Sequence, residues 1–433
     1  MAVVRYLSLL VPVAGLALAA LLTRPDLRTR GAALFGGVAA AIGLTALNTV
    51  AIWAGWWTYA PSSGEFQRVP VDLWLGWAVL WGALPVLLPL PLAPTVVALA
   101  MLDAIAMPHL APVVRLGPDW WWGEAAGLGG VAVPAILVGR WMAHERRLAA
   151  RAALQLLTFG GLTLWLLPSI AITAGDGSWR HLTELPPWAL SLVVQVAALI
   201  AVPGVLAVRE FAERGGGTPY PWDPPTRLVT TGPYAYVANP MQLSAIGLLL
   251  LTAAATHSWS LAGGAISAVA FSAALAGPHE DEDLTRRHGA AWSAYRRDVR
   301  AWWPRWRPAG PPALAYLAES CHMCAGTAST LVELEPLRLR LLPAEWHVER
   351  LRRARYEGHD GYRVDGVTAI ARALEHVNLG WAMVGWCLRL PGLDRLAQLV
   401  ADLLGAGPRD IPYRRAHGRH TLQASRGRDA DHP

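Results

Sequence analysis

Two stretches of this chain carry residue types and spacings that do chemistry. The first runs from Arg227 to Arg305: it opens RLVTTGPYAYVANPMQL, passes through two apolar segments, and closes HEDEDLTRRHGAAWSAYRRDVRAWWPR. Gly232 and Pro233 permit a turn, and Pro240 biases Asn239 away from helical dihedrals. Tyr234 to Asn239 are therefore expected as irregular backbone. Such backbone survives at membrane depth only where protein or a polar cavity satisfies its amides. It would offer N–H and C=O groups to a ligand, with Tyr234 and Tyr236 as flat walls. Beyond the second apolar segment stand Glu280, Asp281, Glu282 and Asp283. They read either as the acidic pole of a site or as a solvated helix start that complements the helix dipole. The order predicts a site at the membrane face, built from the polar segments at both ends of an apolar hairpin.

The second stretch is Cys321-His-Met-Cys324. ALAYLA before it reads as a short buried strand, Ala325 to Glu335 as a helix, and LRLRLLP as a second strand. A Cys-x-x-Cys between strand and helix puts its first thiol at a helix N-terminus. The dipole there favours the thiolate that thiol–disulfide exchange requires. The same pair also reads as half of a zinc site, or as inert thiols. A structural zinc site needs four ligands, and beyond the pair there are Cys387 and scattered histidines such as His322 and His347. Cys387, between Trp386 and Leu388, is expected as a buried apolar thiol. With 3 cysteines in all, a structural disulfide is not expected.

GPYAYVANPM, the hairpin, and E-D-x-x-L…HGAAWSAYRRDVRAWWP together resemble the isoprenylcysteine carboxyl methyltransferase and phospholipid methyltransferase superfamily. Those integral-membrane enzymes transfer a methyl group from S-adenosylmethionine. The resemblance implies that Arg227, Leu228, Val229, Tyr234, Asn239, Pro240, Met241 and Gln242 line the cofactor pocket. It further implies that Glu280 holds the cofactor's polar end with Asp281 beside it. Tyr234, Asn239 and Glu280 would then be the catalytic group. Tyr295 matches the second tyrosine of the closing motif, and Trp292 stands where the first usually is.

Three positions depart from the family pattern. Asn239 replaces a histidine, a neutral amide in place of a titratable group. Ala276 replaces the arginine that would hold a prenylcysteine carboxylate, and Gln242 replaces an aromatic residue. Residues 313–410 resemble the DCC-type thiol-disulfide oxidoreductase-like family. Tyr316, Cys321 and Cys324 match its opening, with Leu317-Ala318 in place of Asp-Gly, and YRVDGVTAIARALEHVNLGWAMVGWCLRLPGL matches its closing region.

These motifs must be positioned by a membrane protein. Hydrophobic residues make up 54% and charged residues 16%, with mean hydropathy +0.32, whereas soluble domains run nearer a quarter charged. Many of the 22 tryptophans lie near the ends of apolar windows, as an interfacial belt requires. Windows long enough to span fall at roughly residues 3–22, 31–53, 72–91, 93–114, 125–143, 153–174, 187–208, 241–256 and 258–277. The first is read as a retained helix, because Ala19-Ala20-Leu21 is a poor cleavage site. With nine spans the arginine clusters at 24–30, 140–151, 209–227 and the C-terminal tail share one face. The positive-inside rule makes that face cytoplasmic and the N-terminus external. The expected fold is mostly α, a polytopic bundle with a C-terminal cytoplasmic α/β thioredoxin-like domain. Its parts are an N-terminal bundle (1–208), a methyltransferase-like core (209–310), the Cys-x-x-Cys domain (311–411) and a disordered basic tail (412–433).

Asp103, mid-window in AMLDAIAMPHL, is either a functional ionisable residue or a side chain bonded within the bundle. His109 reads as interfacial. The loop WWTYAPSSGEFQRVPVDLW is faintly similar to loops of membrane carotenoid-cyclising proteins, and no functional reading rests on it. FAERGGGTPYPWDPPTR excludes a regular helix and reads as a linker or a lid. The expected partners are the lipid bilayer, a lipophilic small-molecule acceptor and a thiol redox partner, with no nucleic acid. Two functions follow: a membrane methyltransferase, or a catalytically inactive methyltransferase-like scaffold whose Cys321/Cys324 domain performs thiol–disulfide exchange.

Overall fold

The computed structural model describes residues 2–220, 223 and 225–412, apart from the side chains of Leu275, Ala276 and His279. The basic tail from Arg414, the centre of the Gly/Pro linker and the substitution at Ala276 thus lie outside what is described. The chain is mostly helical and packs as two compact units. One comprises Met1–Thr183, Gly216–Pro225 and Thr252–Gly263; the other comprises Glu184–Gly215, Thr226–Leu251 and Gly264–Pro433.

Among the described residues six helices are long and apolar enough to cross a membrane: Ala2–Thr23, Leu27–Ala54, Leu92–His109, Trp120–Ala143, Leu148–Ala174 and Pro187–Gly215. The other three apolar windows form the shorter helices Val71–Leu87, Pro240–Thr256 and Trp259–Ala274. The window at 72–91 ends early because Pro89 and Pro91 cannot continue a helix.

Proline also shapes the helices that do continue. π-helical turns at Val79–Ala83, Leu128–Ala132, Leu162–Leu166 and Ser272–Ala276 each stop two residues before a proline: Pro85, Pro134, Pro168 and Pro278. A proline inside a helix lacks the N–H and drives its ring against the carbonyl four residues back. One extra residue in the preceding turn moves that carbonyl aside, so the helix bends rather than breaks.

In the first unit the Leu27–Ala54 helix is central, burying Ala40, Ala41, Leu44 and Leu47 against Trp81, Val131, Ala135 and Ile136. It crosses Val71–Leu87 backbone to backbone. A Cβ on Gly36 would meet the Gly82 carbonyl oxygen at 2.8 Å, and one on Gly82 would meet that of Gly36 at 2.2 Å. Small residues are what permit so close an approach between apolar helices. The Trp-rich loop folds as short strands: β1 (Trp57–Tyr59), β2 (Glu65–Phe66) and β3 (Val69–Pro70). β2 pairs with β3, and β1 pairs antiparallel with β4 (Val114–Leu116).

The second unit combines the Pro187–Gly215 helix with a four-stranded sheet. β5 (Ala313–Leu317) runs parallel to β6 (Leu339–Pro343) across the His322–Glu333 helix, as a parallel pair requires a crossover. β7 (Arg355–Gly358) is antiparallel to β5, and β8 (Arg363–Asp365) is antiparallel to β7, giving the order β6-β5-β7-β8. The crossover helix starts at His322, earlier than its composition implied, because Cys321 caps it. Helices Val367–Leu374, Leu379–Leu388 and Leu393–Ala401 follow. Ala315, Leu317, Leu331, Ala373 and Leu374 form the core between sheet and helices.

Gly82→Val should force the first unit's central helices apart and cost about 1–3 kcal/mol or more. Thermal unfolding of the purified protein checks this. Gly129→Ala, whose added methyl meets nothing within 4 Å, should not lower the midpoint, since alanine favours a helix over glycine.

Candidate functional site

The segment before the hairpin is organised by one buried carboxylate. Glu210, near the end of the Pro187–Gly215 helix, is fully buried and accepts a hydrogen bond from Thr231 Oγ1 at 2.9 Å. Arg372 and Arg389, both buried, reach it at 2.6 and 2.7 Å. Gly232 (φ +60°) follows, and a Cβ there would lie 2.8 Å from Glu210 Cγ. Only glycine meets both demands at that position. Gly232–Ala235 then makes a single 3-10 turn rather than fully irregular backbone.

Tyr234 sits on this turn, buried, its ring stacked on Phe211 at 5.0 Å between centroids. Val229 and Ala207 complete that cluster, with Met241 packed against it. Tyr295 donates its hydroxyl to the Tyr234 carbonyl at 2.9 Å, and Leu228 packs beside Trp292 and Tyr295. The two tyrosines of the separated motifs thus meet. The Tyr234 hydroxyl is buried with no hydrogen-bond partner among the described residues. Burial, then the neighbouring Tyr295, Glu210 and Glu280, hold it protonated far above the ordinary phenol range. It is a donor without an acceptor.

The four acids separate in role. Glu282 pairs with Arg286 at 3.2 Å and Asp283 with Arg287 at 2.8 Å, both within one helix face. Asp281 lies 3.5 Å from Arg296 of the closing motif. Glu280 makes no ion pair among the described residues, and its charge is felt at Tyr234. Asn239 is half-buried and Pro240 buried at the start of the Pro240–Thr256 helix. Four expected pocket residues lie exposed: Arg227, Glu280, Asp281 and Gln242, the last accepting from Ser272 at 2.8 Å.

One expectation is corrected. The turn does not present its backbone to a ligand, because residues 300–309 run along it. Ala238 N–H donates to Arg300 O (2.9 Å) and Asn239 N–H to Ala301 O (3.2 Å). Tyr236 and Ala235 carbonyls accept from Arg305 N–H (3.0 Å) and Ala309 N–H (2.9 Å). Tyr236 is no ligand wall either. It is fully buried, donates to Glu375 O at 2.8 Å and packs edge-on to Trp386. Side chains, not free amides, are the groups available here.

At the second site Cys321 caps the His322–Glu333 helix, its sulfur accepting the Cys324 amide at 3.4 Å. Glu345 fixes the approach to it, accepting from the Ser320 amide and hydroxyl (3.0 and 2.8 Å) and from the Glu319 amide (3.2 Å). Burial opposes ionisation of Cys321. Hydrogen bonds from Cys324 and the positive charge of Arg409 outweigh it, and hold this thiol below its ordinary value. Burial and the adjacent Cys321 push Cys324 up to about 11. Cys387 is half-buried, packed against the cluster of Trp386. Among the described residues no group of three or more His, Cys, Asp or Glu is placed to hold a metal ion.

Two clusters escaped sequence reasoning. Glu210, Glu375, Arg372 and Arg389 form a buried charge network, Arg389 reaching Glu375 at 2.5 Å. Their residue types are ordinary in sequence, and only their burial marks them. In the first unit Asp103 is buried and accepts from Trp81 Nε1 at 2.9 Å, with Glu124 also buried and its carboxyl within hydrogen-bonding reach. A cavity of about 30 Å³ beside Glu124 is lined by Asn48, Tyr59, Trp74 and Trp81. Asp103 stands out in the sequence as an ionisable residue mid-window, whereas Glu124, just after Trp120–Trp122, carries no such signal. No family model, curated protein or solved structure matches this chain.

In a Cys387→Ser background, which removes the third free thiol, the rate of iodoacetamide alkylation should rise with pH in two steps, the first below the ordinary thiol range and the second near 11. Cys321→Ser should remove the lower step. Glu210→Ala strands two buried guanidinium groups and should cost about 3–5 kcal/mol in the second unit's unfolding free energy.

Proposed function

We propose that residues 227–305 bind S-adenosylmethionine, and that the chain is an integral-membrane methyltransferase acting on a lipid or isoprenoid acceptor. The observation that carries this reading is the buried, unpartnered Tyr234 hydroxyl. That hydroxyl lies within electrostatic reach of Glu280, and Tyr295 holds the backbone carbonyl of the same residue, so residues of both separated motifs meet at Tyr234. A buried donor left unsatisfied is costly, and a ligand acceptor removes that cost. The residues present therefore fit the group that the family resemblance implies. In this reading Glu280 holds the cofactor's ammonium end, Tyr234 donates to an acceptor atom elsewhere on the cofactor, and Val229, Met241 and Leu228 supply apolar wall. The bound cofactor supplies a methyl group on a sulfonium sulfur. Asn239 can orient a neighbour but cannot remove a proton near neutral pH. The acceptor best suited to such a site is a carboxylate, which brings its own lone pair and needs only alignment and desolvation.

The proposal includes nine membrane passages with an external N-terminus and a cytoplasmic C-terminal domain. The three short apolar helices would then cross by tilting or by thinning the bilayer. It also reads residues 311–411 as thioredoxin-like, supported by the β6-β5-β7-β8 order and a Cys-x-x-Cys at the crossover helix.

Calorimetry on the purified full chain tests the site. S-adenosylmethionine should bind saturably, and Glu280→Ala should weaken it about tenfold or more, as loss of a charged hydrogen bond does. Tyr234→Phe should weaken it less. Absence of binding to folded wild-type protein would overturn the reading.

A second reading, a non-catalytic membrane scaffold with a working thiol pair, is favoured by one observation: Cys321 caps the His322–Glu333 helix and its sulfur accepts the Cys324 amide at 3.4 Å, contacts that favour the thiolate. It predicts reduction of a small disulfide by the reduced protein, abolished in Cys321→Ser. A wild-type protein inert in that assay would sink it.

A further inference from the structure

The Leu393–Ala401 helix and the turn after it are built inside out. Asp394, Gln398 and Asp402 recur every fourth residue and so share one face. All three are spent on the protein. Asp394 lies 3.4 Å from Arg209, Gln398 accepts the Val367 amide at 2.8 Å, and Asp402 takes Arg353 in a two-pronged pair, one arm at 2.8 Å. The opposite side carries Leu393, Leu396, Leu399, Val400, Leu403 and Leu404, and every one is exposed, Leu399 by 62% and Leu403 by 88%. No residue of this helix is buried.

A helix on a water-soluble domain turns its apolar stripe to the core and its polar stripe outward. Reversal of that order, with six large aliphatic side chains in one contiguous patch, marks a surface made to meet an apolar phase. The position of the helix identifies the phase. Arg209, which Asp394 approaches, sits near the end of Pro187–Gly215, a helix long and apolar enough to cross a membrane. Arg209 also donates to the Arg389 carbonyl, just ahead of the inverted helix. The apolar patch is thus tethered to the level at which that helix leaves the hydrocarbon. Arg395 and Arg409, both exposed, flank it with positive charge, the arrangement found where interfacial helices meet anionic headgroups.

We propose that this face of the Cys321/Cys324 domain is a lipid-docking surface, with the Leu393–Ala401 helix and its following turn seated in the interfacial layer of the bilayer that Pro187–Gly215 crosses. The inference rests on the reading of that helix as a membrane passage. It confines the thiol pair to the membrane surface, where its reactants would be membrane-bound.

The test places benzoylphenylalanine singly at Leu399 and at Leu403 of the full chain, reconstituted in phosphatidylcholine–phosphatidylglycerol vesicles and irradiated. Leu192, exposed on the Pro187–Gly215 helix, and Ser329, exposed on the His322–Glu333 helix, carry the same probe as references. The expected result is lipid adducts at Leu399 and Leu403 in yields comparable with Leu192, and none at Ser329. Lipid adducts at Leu192 alone, with water quenching at the other positions or cross-links to a second copy, would overturn the docking and leave the passage intact. Absence of lipid at Leu192 as well would overturn the passage and the docking with it. Equal lipid labelling at Ser329 would also overturn it, because the contact would not belong to this face.

Discussion

Glu210 is the group on which the second unit depends. A carboxylate fully removed from water is tolerable only where cations and hydrogen bonds replace its hydration, and here Arg372, Arg389 and Thr231 supply them. Those partners come from the Val367–Leu374 helix, the end of the Leu379–Leu388 helix, and the turn before the hairpin. One buried atom group therefore fixes the membrane-type helix, the motif turn and the C-terminal domain together. Such a network is a weak source of net stability and a strong source of geometry, since any other arrangement leaves charges unpaired.

The two chemical sites share that frame. Tyr234 lies on the turn that Glu210 positions. The strand ahead of the Cys-x-x-Cys, β5, follows directly on the segment 300–309, which hydrogen-bonds along residues 235–239. The turn spends its backbone on that segment and keeps one side-chain donor free. Any group bound at this candidate site would meet a few fixed side-chain atoms rather than free backbone.

Much of the fold was legible because it is written in local rules. Each apolar window became a helix, and β5, the capped crossover helix and β6 followed from residue pattern and the Cys-x-x-Cys spacing. The convergence of Tyr234 and Tyr295 was legible only through resemblance, since 61 residues separate them. What stayed hidden is non-local. Glu210 reads as one more acid at a helix end, and Arg389 as a basic residue after an apolar run. Glu124 carries no signal of its own until the fold places it near Asp103. The backbone of residues 234–239 looked free because nothing in its own sequence announces that residues 300–309 will cover it.

The π-turns ahead of Pro85, Pro134, Pro168 and Pro278 carry a consequence for how these helices tolerate change in length. Each turn holds one residue more than the α-helical repeat and winds it over the same angle, so the helix faces on either side stay in phase. A single-residue deletion there would return the helix to regular winding without turning the downstream face, and would drive the proline ring against a carbonyl. Elsewhere in a helix a one-residue deletion rotates every downstream side chain by about 100°. Shortening these helices at such a turn therefore costs a bend, and anywhere else it costs the direction of a face.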